Sequence, residues 1–244
     1  MHTDTPNEWF ESWFDSPYYH ILYQHRDEQE AQFVIDQLTS YLNIPIGSTI
    51  LDLACGKGRH ANYLASLGFD VAGYDLSKNN IALAKENQKG KVHFLVHDMR
   101  EKFPEKFDAI FNLFTSFGYF DCKDDNVKTL QAIKESLTEN GIAVIDFLNL
   151  NFVKENLVPS ESITLDGITF SIERRIDKNF IYKDILFEVD GKNYHFTEKV
   201  QALGLADFEE MLEKAGMYLL DVFGEYKLTK FDQQKSERLI LIFQ

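Results

Sequence analysis

The stretch that most constrains the fold is "LDLACGKGRHANYLA", residues 51–65. A short apolar run ends at an acidic residue, turns on small residues and continues with the periodicity of a helix. Glycines at a strand-to-helix turn let the backbone approach a ligand closely, and they expose the amino end of the helix. The stretch therefore predicts the first strand, turn and helix of an α/β sheet with a ligand site at the carboxyl ends of its strands.

Apolar and helical segments alternate along the residues that follow. The apolar segments predict strands at 48–54, 69–75, 91–98, 107–114 and 141–148. Such alternation is typical of a parallel sheet with helices on both faces. The last two apolar segments, "YLLDVFGEY" and "RLILIFQ", are joined by a loop too short for a crossover helix, so they must pair antiparallel. We therefore predict a doubly wound, mostly parallel seven-stranded sheet with an antiparallel last strand.

The segments outside this alternation predict two additions to the sheet. Aromatic residues recur at helical spacing near the amino terminus, and Ser16-Pro17 predicts the start of a helix. Asp166-Gly167 and Asp190-Gly191 predict hairpin turns in an antiparallel insertion after the fifth strand. The expected organisation is an N-terminal helical lid segment at 1–44, a ligand-binding core at 45–150, an antiparallel insertion on the substrate side at 151–200 and the C-terminal part of the core sheet at 201–244.

The charge and the cysteines argue against several classes of function. A net charge of −14 disfavours binding to bulk nucleic acid, because it repels the phosphate backbone. The chain has neither a signal-peptide pattern nor an apolar run near the ~20 residues of a membrane span, so we expect a cytoplasmic protein without a membrane partner. Cys55 and Cys122 have no metal-ligand spacing, so we expect no metal site and no disulfide framework.

The turn after the first strand matches a dinucleotide fingerprint. Gly56, Gly58 and Ala61 spell G-x-G-x-x-A, and Asp75 lies 19 residues after Gly56, near the position of a ribose-binding acid. On this pattern a nicotinamide-dependent oxidoreductase is one hypothesis.

Three other features favour S-adenosylmethionine as the cofactor. Asp52 ends the first strand, where a carboxylate would repel a pyrophosphate but suits a ligand with a sulfonium and an ammonium group. Asp98 ends the third predicted strand and can accept from an adenine amino group, while Met99 packs on the ring. The antiparallel ending replaces the second parallel half of a dinucleotide-binding enzyme.

Over roughly residues 45–244 the sequence resembles the class I S-adenosylmethionine-dependent methyltransferases. Their first motif, acid-x-Gly-x-Gly-x-Gly, stands here as Asp52-x-Ala54-x-Gly56-x-Gly58, with alanine at the first small position. The resemblance implies cofactor contacts at Asp52, Ala54, Gly56 and Gly58 for the methionine part, at Asp75 for the ribose, at Leu76, Asp98 and Met99 for the adenine, and at Leu113 near the methyl group.

Within that family, "HDMR", "NLFTSFGYF" and the insertion look most like small-molecule N-methyltransferases, such as amino-sugar dimethyltransferases and glycine N-methyltransferase. In glycine N-methyltransferase-like members an N-terminal arginine and a nearby tyrosine contact the cofactor. "LYQHRD" offers Tyr23 and Arg26 in a comparable place. The resemblance therefore implies methyl transfer to a small molecule, with an amine nitrogen favoured over oxygen.

Methyl transfer from a sulfonium is an in-line displacement, so positioning can supply most of the catalysis. A general base helps only when the nucleophile arrives protonated, and the candidates are Tyr119, His60 and Asp146. Two further hypotheses stay open beside the methyltransferase, namely the nicotinamide-dependent oxidoreductase and a cofactor-binding module without turnover. The aromatic N-terminal segment can serve as a substrate lid or as a homodimer contact.

Overall fold

A computed structural model describes residues 9–24 and 28–244. Its first half contains α1 (Trp9–Phe14), α2 (Pro17–Leu22), α3 (Glu28–Tyr41), β1 (Thr49–Leu53), α4 (Arg59–Ser66), β2 (Asp70–Asp75), α5 (Lys78–Glu86), β3 (Val92–Val96), β4 (Phe107–Asn112) and α6 (Lys123–Ser136). Its second half contains β5 (Leu137–Leu148), α7 (Leu150–Asn156), β6 (Ser160–Leu165), β7 (Ile168–Asp177), β8 (Phe180–Val189), β9 (Lys192–Gln201), α8 (Leu205–Ala215), β10 (Leu219–Phe223) and β11 (Arg238–Phe243).

The larger sheet has seven strands in the order β10-β11-β5-β4-β1-β2-β3. The pairs β1–β2, β2–β3, β1–β4 and β4–β5 are parallel, whereas β11 runs antiparallel to both β5 and β10. The predicted fold class is therefore confirmed. The chain reverses its direction of winding between β1 and β4, and the carboxyl ends of strands at such a point are where open α/β sheets bind ligands.

Two strands of this sheet end earlier than the sequence indicates. β3 ends at Val96, so Asp98 lies in the turn after the strand, and the prediction that it ends the strand is wrong. The reason is local, because the Asp98 carboxylate accepts from the backbone N–H of Arg100 and closes a tight turn. β4 ends at Asn112, because Phe114 has a positive φ of 57° and leaves the extended conformation. Both shifts place predicted site residues, Asp98 and Leu113, in loops at the carboxyl edge of the sheet.

The insertion forms a second, four-stranded sheet in the order β6-β7-β8-β9. The two predicted Asp-Gly turns are confirmed, since all four of their residues have positive φ, as the tightest hairpin turns require. A third turn at Lys178 and Asn179 joins β7 to β8, and it carries no glycine signal. The insertion is thus a meander of three hairpins, one more than the two Asp-Gly turns predict.

The N-terminal helices pack on the second sheet and not only on the core. Ser16 caps α2, as predicted, and accepts from the backbone N–H of Tyr18. Trp13 is fully buried in a cluster with apolar side chains of the second sheet, and its ring centroid lies 4.6 Å from that of Phe196 on β9. The helices therefore bridge the second sheet and the carboxyl edge of the first.

Candidate active site

A cavity of about 390 Å³ lies at the carboxyl ends of β1 and β2, beneath the N-terminal helices. Its volume is in the range of small-molecule sites, roughly 300–1,000 Å³. Sequence-predicted residues that line it are Tyr23, Asp52, Ala54, Gly56, His60, Asp75, Leu76, Asp98, Met99, Leu113 and Tyr119. The structure thus brings together side chains that are widely separated along the chain. Arg26 lies outside the described residues.

In the loop after β1, every second residue from Ala54 to Gly58 has a left-handed backbone conformation. Ala54, Gly56 and Gly58 have φ of 63°, 54° and 77°. A Cβ at Gly58 would lie 2.5 Å from Cζ of Phe94, so this glycine allows α4 to pack on β3. A Cβ at Gly56 would meet nothing within 4 Å, because Gly56 faces the cavity. The two glycines therefore have different tasks, Gly58 in packing and Gly56 in leaving room for a ligand.

Asp52 is buried, and its Oδ2 accepts from the backbone N–H of Ala61 at 3.1 Å. The acid thus supports the first turn of α4 while it lines the cavity. Burial raises the pKa of Asp52 to about 7, the nearby charge of Asp75 adds to the rise, and the hydrogen bond opposes it. A positively charged ligand beside Asp52 would favour its ionised form.

Asp75 ties the loop after β1 to the start of α5. Its Oδ2 accepts from the backbone N–H of Gly56 at 2.8 Å, and its Oδ1 accepts from that of Ser77 at 2.9 Å. Burial raises the pKa of Asp75, and these hydrogen bonds oppose the rise. Close by, the buried Oδ1 of Asn80 lines the cavity and has no hydrogen-bond partner among the described residues. This oxygen is available to a ligand that donates a hydrogen bond.

The turn after β3 holds an acid that stays ionised. Arg100 donates from Nη2 to Asp98 at 2.6 Å, and its guanidinium lies 4.7 Å from the ring centroid of Phe120. Burial alone would raise the pKa of Asp98, but the hydrogen bonds and charge of Arg100 hold it below its usual range. Met99 lines the cavity beside this pair. The pairing with Arg100 was not foreseen, although the spacing "DMR" is its sequence signal.

Residues 10–24, here called the N-terminal cover, close the cavity from above with Phe10, Phe14 and Tyr19 among others. The hydroxyl of Tyr23 donates to Glu198 at 2.6 Å and accepts from Nζ of Lys183 at 2.6 Å. Trp13 also donates to Glu198, at 2.7 Å, and thereby joins the cover to β9. On the other side, the Ser77 hydroxyl donates to Asp15. The cover is therefore fastened both to the second sheet and to the start of α5.

Lys183 and Glu198 were missed by sequence reasoning because they belong to no motif. They face each other across β8 and β9, on the same side of the sheet as the buried Ile185. A charged pair within an otherwise apolar strand face is the signal that could have found them.

A larger cavity of about 890 Å³ adjoins the first one and shares Phe114 and Tyr119 with it. It lies between the second sheet, the first turn of α3 and the loop before β11. Arg174 lines it, whereas Arg175 pairs with Asp184 on the opposite face of β7, as strand alternation predicts. The two cavities together offer one site for a cofactor and one for a second molecule.

The three candidate bases differ in their surroundings. The Tyr119 hydroxyl donates to the carbonyl of Thr115 at 2.6 Å, where the two cavities meet. His60 is buried and stacks on Phe114, with ring centroids 5.1 Å apart. Asp146 is fully buried and accepts from Nε of Arg238 at 2.8 Å. Since its carboxylate also accepts from a backbone N–H and from a tyrosine hydroxyl, Asp146 is held as a structural ion pair.

No helix in the described part of the chain is long and apolar enough to cross a membrane. Among the same residues, no group of three or more histidine, cysteine or acidic side chains is placed to hold a metal ion.

Comparisons with known proteins agree on one family. A family model described as a methyltransferase domain matches residues 46–216. A methyltransferase candidate of Bacillus subtilis (strain 168), YqeM, is 29% identical over 87% of this chain and 91% of its own length. A glycine/sarcosine N-methyltransferase of Aphanothece halophytica is 31% identical over 60% of this chain and 56% of its own. The structure of an S-adenosylmethionine-dependent methyltransferase from Clostridium acetobutylicum ATCC 824 shares the fold, with a TM-score of 0.79, 22% identity, and 93% of this chain and 95% of that one covered.

Proposed function

This chain belongs to the methyltransferase-domain family and is an S-adenosylmethionine-dependent methyltransferase, and we propose that it methylates a small-molecule amine. The observation that carries the proposal is the pair of adjoining cavities that meet at Tyr119 and Phe114. One cavity carries the strand-end acids and the other is open to a second molecule. Family membership sets aside the nicotinamide-dependent oxidoreductase and the module without turnover. The relative named for glycine and sarcosine supports an amine as the acceptor.

The residues of the smaller cavity fit S-adenosylmethionine. Lys57 and Arg59 line it together with the acids, so it can receive a ligand that carries charges of both signs. Gly56 leaves space for the ligand, and the buried Oδ1 of Asn80 can accept a hydrogen bond from it. The proposed contacts are Asp75 with the ribose hydroxyls, Leu76, Asp98 and Met99 with the adenine, Asp52, Ala54 and Gly56 with the methionine part, Tyr23 and Arg26 with its amino-acid end, and Leu113 near the methyl group. Gly58, which the resemblance also implied, packs against Phe94 and does not line the cavity.

S-adenosylmethionine supplies a methyl group bound to a positively charged sulfur, and this sulfur is the leaving group of the transfer. The protein therefore has to orient the acceptor and exclude water, and holding both partners in line is worth up to about 7–11 kcal/mol. The aromatic cover provides the exclusion. The Tyr119 hydroxyl donates a hydrogen bond to the carbonyl of Thr115, so its oxygen can accept a hydrogen bond from the acceptor amine and direct the nitrogen lone pair towards the smaller cavity. His60 remains the proposed base for an acceptor that arrives protonated.

A cytoplasmic location and a homodimer belong to the proposal as well. Free thiols at Cys55 and Cys122 support a reducing compartment. The edge strand β10 leaves Leu220 43% exposed and follows Tyr218, which is 59% exposed, and this edge supports a contact between two copies.

Calorimetry and a labelled-methyl assay test the function. S-adenosylhomocysteine should bind the purified chain, and label from S-adenosylmethionine should appear in amines of a metabolite extract. The matched variants are Asp75→Ala, which should lose both signals, and Asp70→Ala, which changes an exposed acid at the other end of the same strand. Label recovered only in hydroxyl or carboxyl groups would contradict the amine, and absence of S-adenosylhomocysteine binding would contradict the cofactor site.

A further inference from the structure

The larger cavity is far bigger than a simple amino acid needs. Its volume of about 890 Å³ lies near the upper end of small-molecule sites, roughly 300–1,000 Å³. Aromatic side chains form much of its wall, including Phe33, Tyr119, Tyr182 and Tyr226. A small acceptor such as glycine would leave most of this space to water. On the proposed function, the cavity volume therefore favours a bulky acceptor.

The basic side chains deep in this cavity are already neutralised. Arg174 pairs with Glu161, Nζ of Lys183 lies 4.0 Å from Oε2 of Glu198, and Nε of Arg238 lies 2.8 Å from Oδ1 of Asp146. A carboxylate or phosphate that reached these three inner cations would have to displace one of their acids. Such an exchange leaves a partly buried carboxylate without its counter-charge, which is costly.

The mouth of the cavity has the opposite character. Glu30, Glu225 and Glu237 line it together with a single lysine, Lys227. None of these three carboxylates forms an ion pair with any residue in the described ranges 9–24 and 28–244. The lining carries four acidic and four basic side chains, but two of the basic ones pair with acids outside it, Glu161 and Asp146, so the cavity together with these partners has an excess of negative charge. It attracts cations and repels anions.

We propose that the acceptor is a bulky amine with a net positive charge, larger than an amino acid and free of phosphate and carboxylate groups. The aromatic walls enclose its body, and the carboxylates of the mouth bind ammonium groups remote from the reacting nitrogen. This inference rests on the proposed function and narrows its substrate class. It separates the chain from enzymes that act on small amino acids and from those that act on nucleotide-linked sugars.

The test is calorimetry on the full chain loaded with S-adenosylhomocysteine. Matched probes isolate charge and size: tyramine against tyrosine, glucosamine against its phosphate ester, and kanamycin, a multi-ring polyamine, against glycine. The first member of each pair should bind more tightly. The double variant Glu30→Gln with Glu237→Gln should weaken kanamycin about tenfold, as the loss of two partly screened charge contacts would. Its control, Glu209→Gln with Glu213→Gln on the exposed side of α8, removes the same charge and should change nothing.

Two results would overturn the inference: equal or tighter binding of the anionic or small probe of a pair, and an unchanged kanamycin affinity in the Glu30 and Glu237 variant. Failure of the proposed function looks different, because label from S-adenosylmethionine would then be recovered only in hydroxyl or carboxyl groups. The labelled-methyl assay thus distinguishes the two failures.

Discussion

The acid at the end of β1 makes cofactor affinity depend on pH. Burial raises the pKa of Asp52 to about 7, so the side chain is protonated below that pH and ionised above it. With such a pKa, the ionised fraction rises from about one tenth at pH 6 to about nine tenths at pH 8. If only the ionised form attracts the sulfonium, affinity for S-adenosylmethionine should rise about tenfold across this interval.

The substitution Asp52→Asn tests this reasoning with little change of shape. The amide oxygen can still accept from Ala61, so the first turn of α4 keeps its hydrogen bond. Calorimetry from pH 6 to pH 8 should show the tenfold rise in the natural protein and a much smaller one in the variant. Protonation of S-adenosylmethionine itself changes the affinity of both proteins equally, so it does not contribute to the difference between their pH profiles. Asp70→Asn, an exposed acid at the start of β2, is the matched control.

Thermal unfolding provides an independent readout of the same carboxyl group. Because the folded protein binds this proton more tightly than the unfolded chain does, Asp52 lowers stability as pH rises from about 4 through about 7. Asp52→Asn removes that loss, so the melting temperature of the variant should exceed that of the natural protein at pH 8 by more than it does at pH 5. Identical pH profiles for the two proteins, in binding and in melting, would refute the assignment.

Other predictions follow from the same site. Asp75→Ala should weaken the binding of S-adenosylhomocysteine at least about thirtyfold, because it removes the partner of two backbone N–H groups as well as the ribose contact. Calorimetry measures this affinity, and an unchanged value would contradict the role of Asp75. Tyr23→Phe and Glu198→Gln should each raise KM for the cofactor, and the double variant should raise it by less than the two single effects combined. Additive effects would show that the hydrogen bond between the two side chains does not position the cover. Gly58→Ala should lower the melting temperature, because the added methyl group clashes with Phe94 at a cost of about 1–3 kcal/mol. Gly56→Ala should weaken cofactor binding and lower the melting temperature less. The reverse pattern would contradict a packing role for Gly58 and a ligand-facing role for Gly56.

The sequence predicted those parts of the molecule that depend on neighbours along the chain. Ser16 caps the helix that follows it, and the Asp-Gly turns lie where two residues suffice to specify a hairpin. Asp52 and Asp75 were found because the strand-end position and the spacing to the glycine turn are themselves local. These signals need no knowledge of how distant segments pack.

What the sequence did not predict depends on segments far apart. Glu198 meets Tyr23 across a separation of 175 residues, and no local pattern encodes that meeting. Likewise, Asp146 looks like a base at a strand end until the last strand brings Arg238 against it. The turn at Lys178 was missed because a lysine there adopts positive φ at the demand of the two paired strands rather than by its own preference.

The double fastening of the N-terminal cover has a kinetic consequence. The cover is held by Glu198 on one flank and by Ser77 on the other, and it lies over the strand-end acids. We expect exchange of the nucleoside to be faster when one flank detaches, while the acceptor can reach the larger cavity through the mouth lined by Glu30, Glu225 and Glu237. Because the acceptor has its own mouth, we expect the methyl donor and the acceptor to bind in either order, and we expect detachment of the cover to limit release of the spent donor and thereby the steady-state rate.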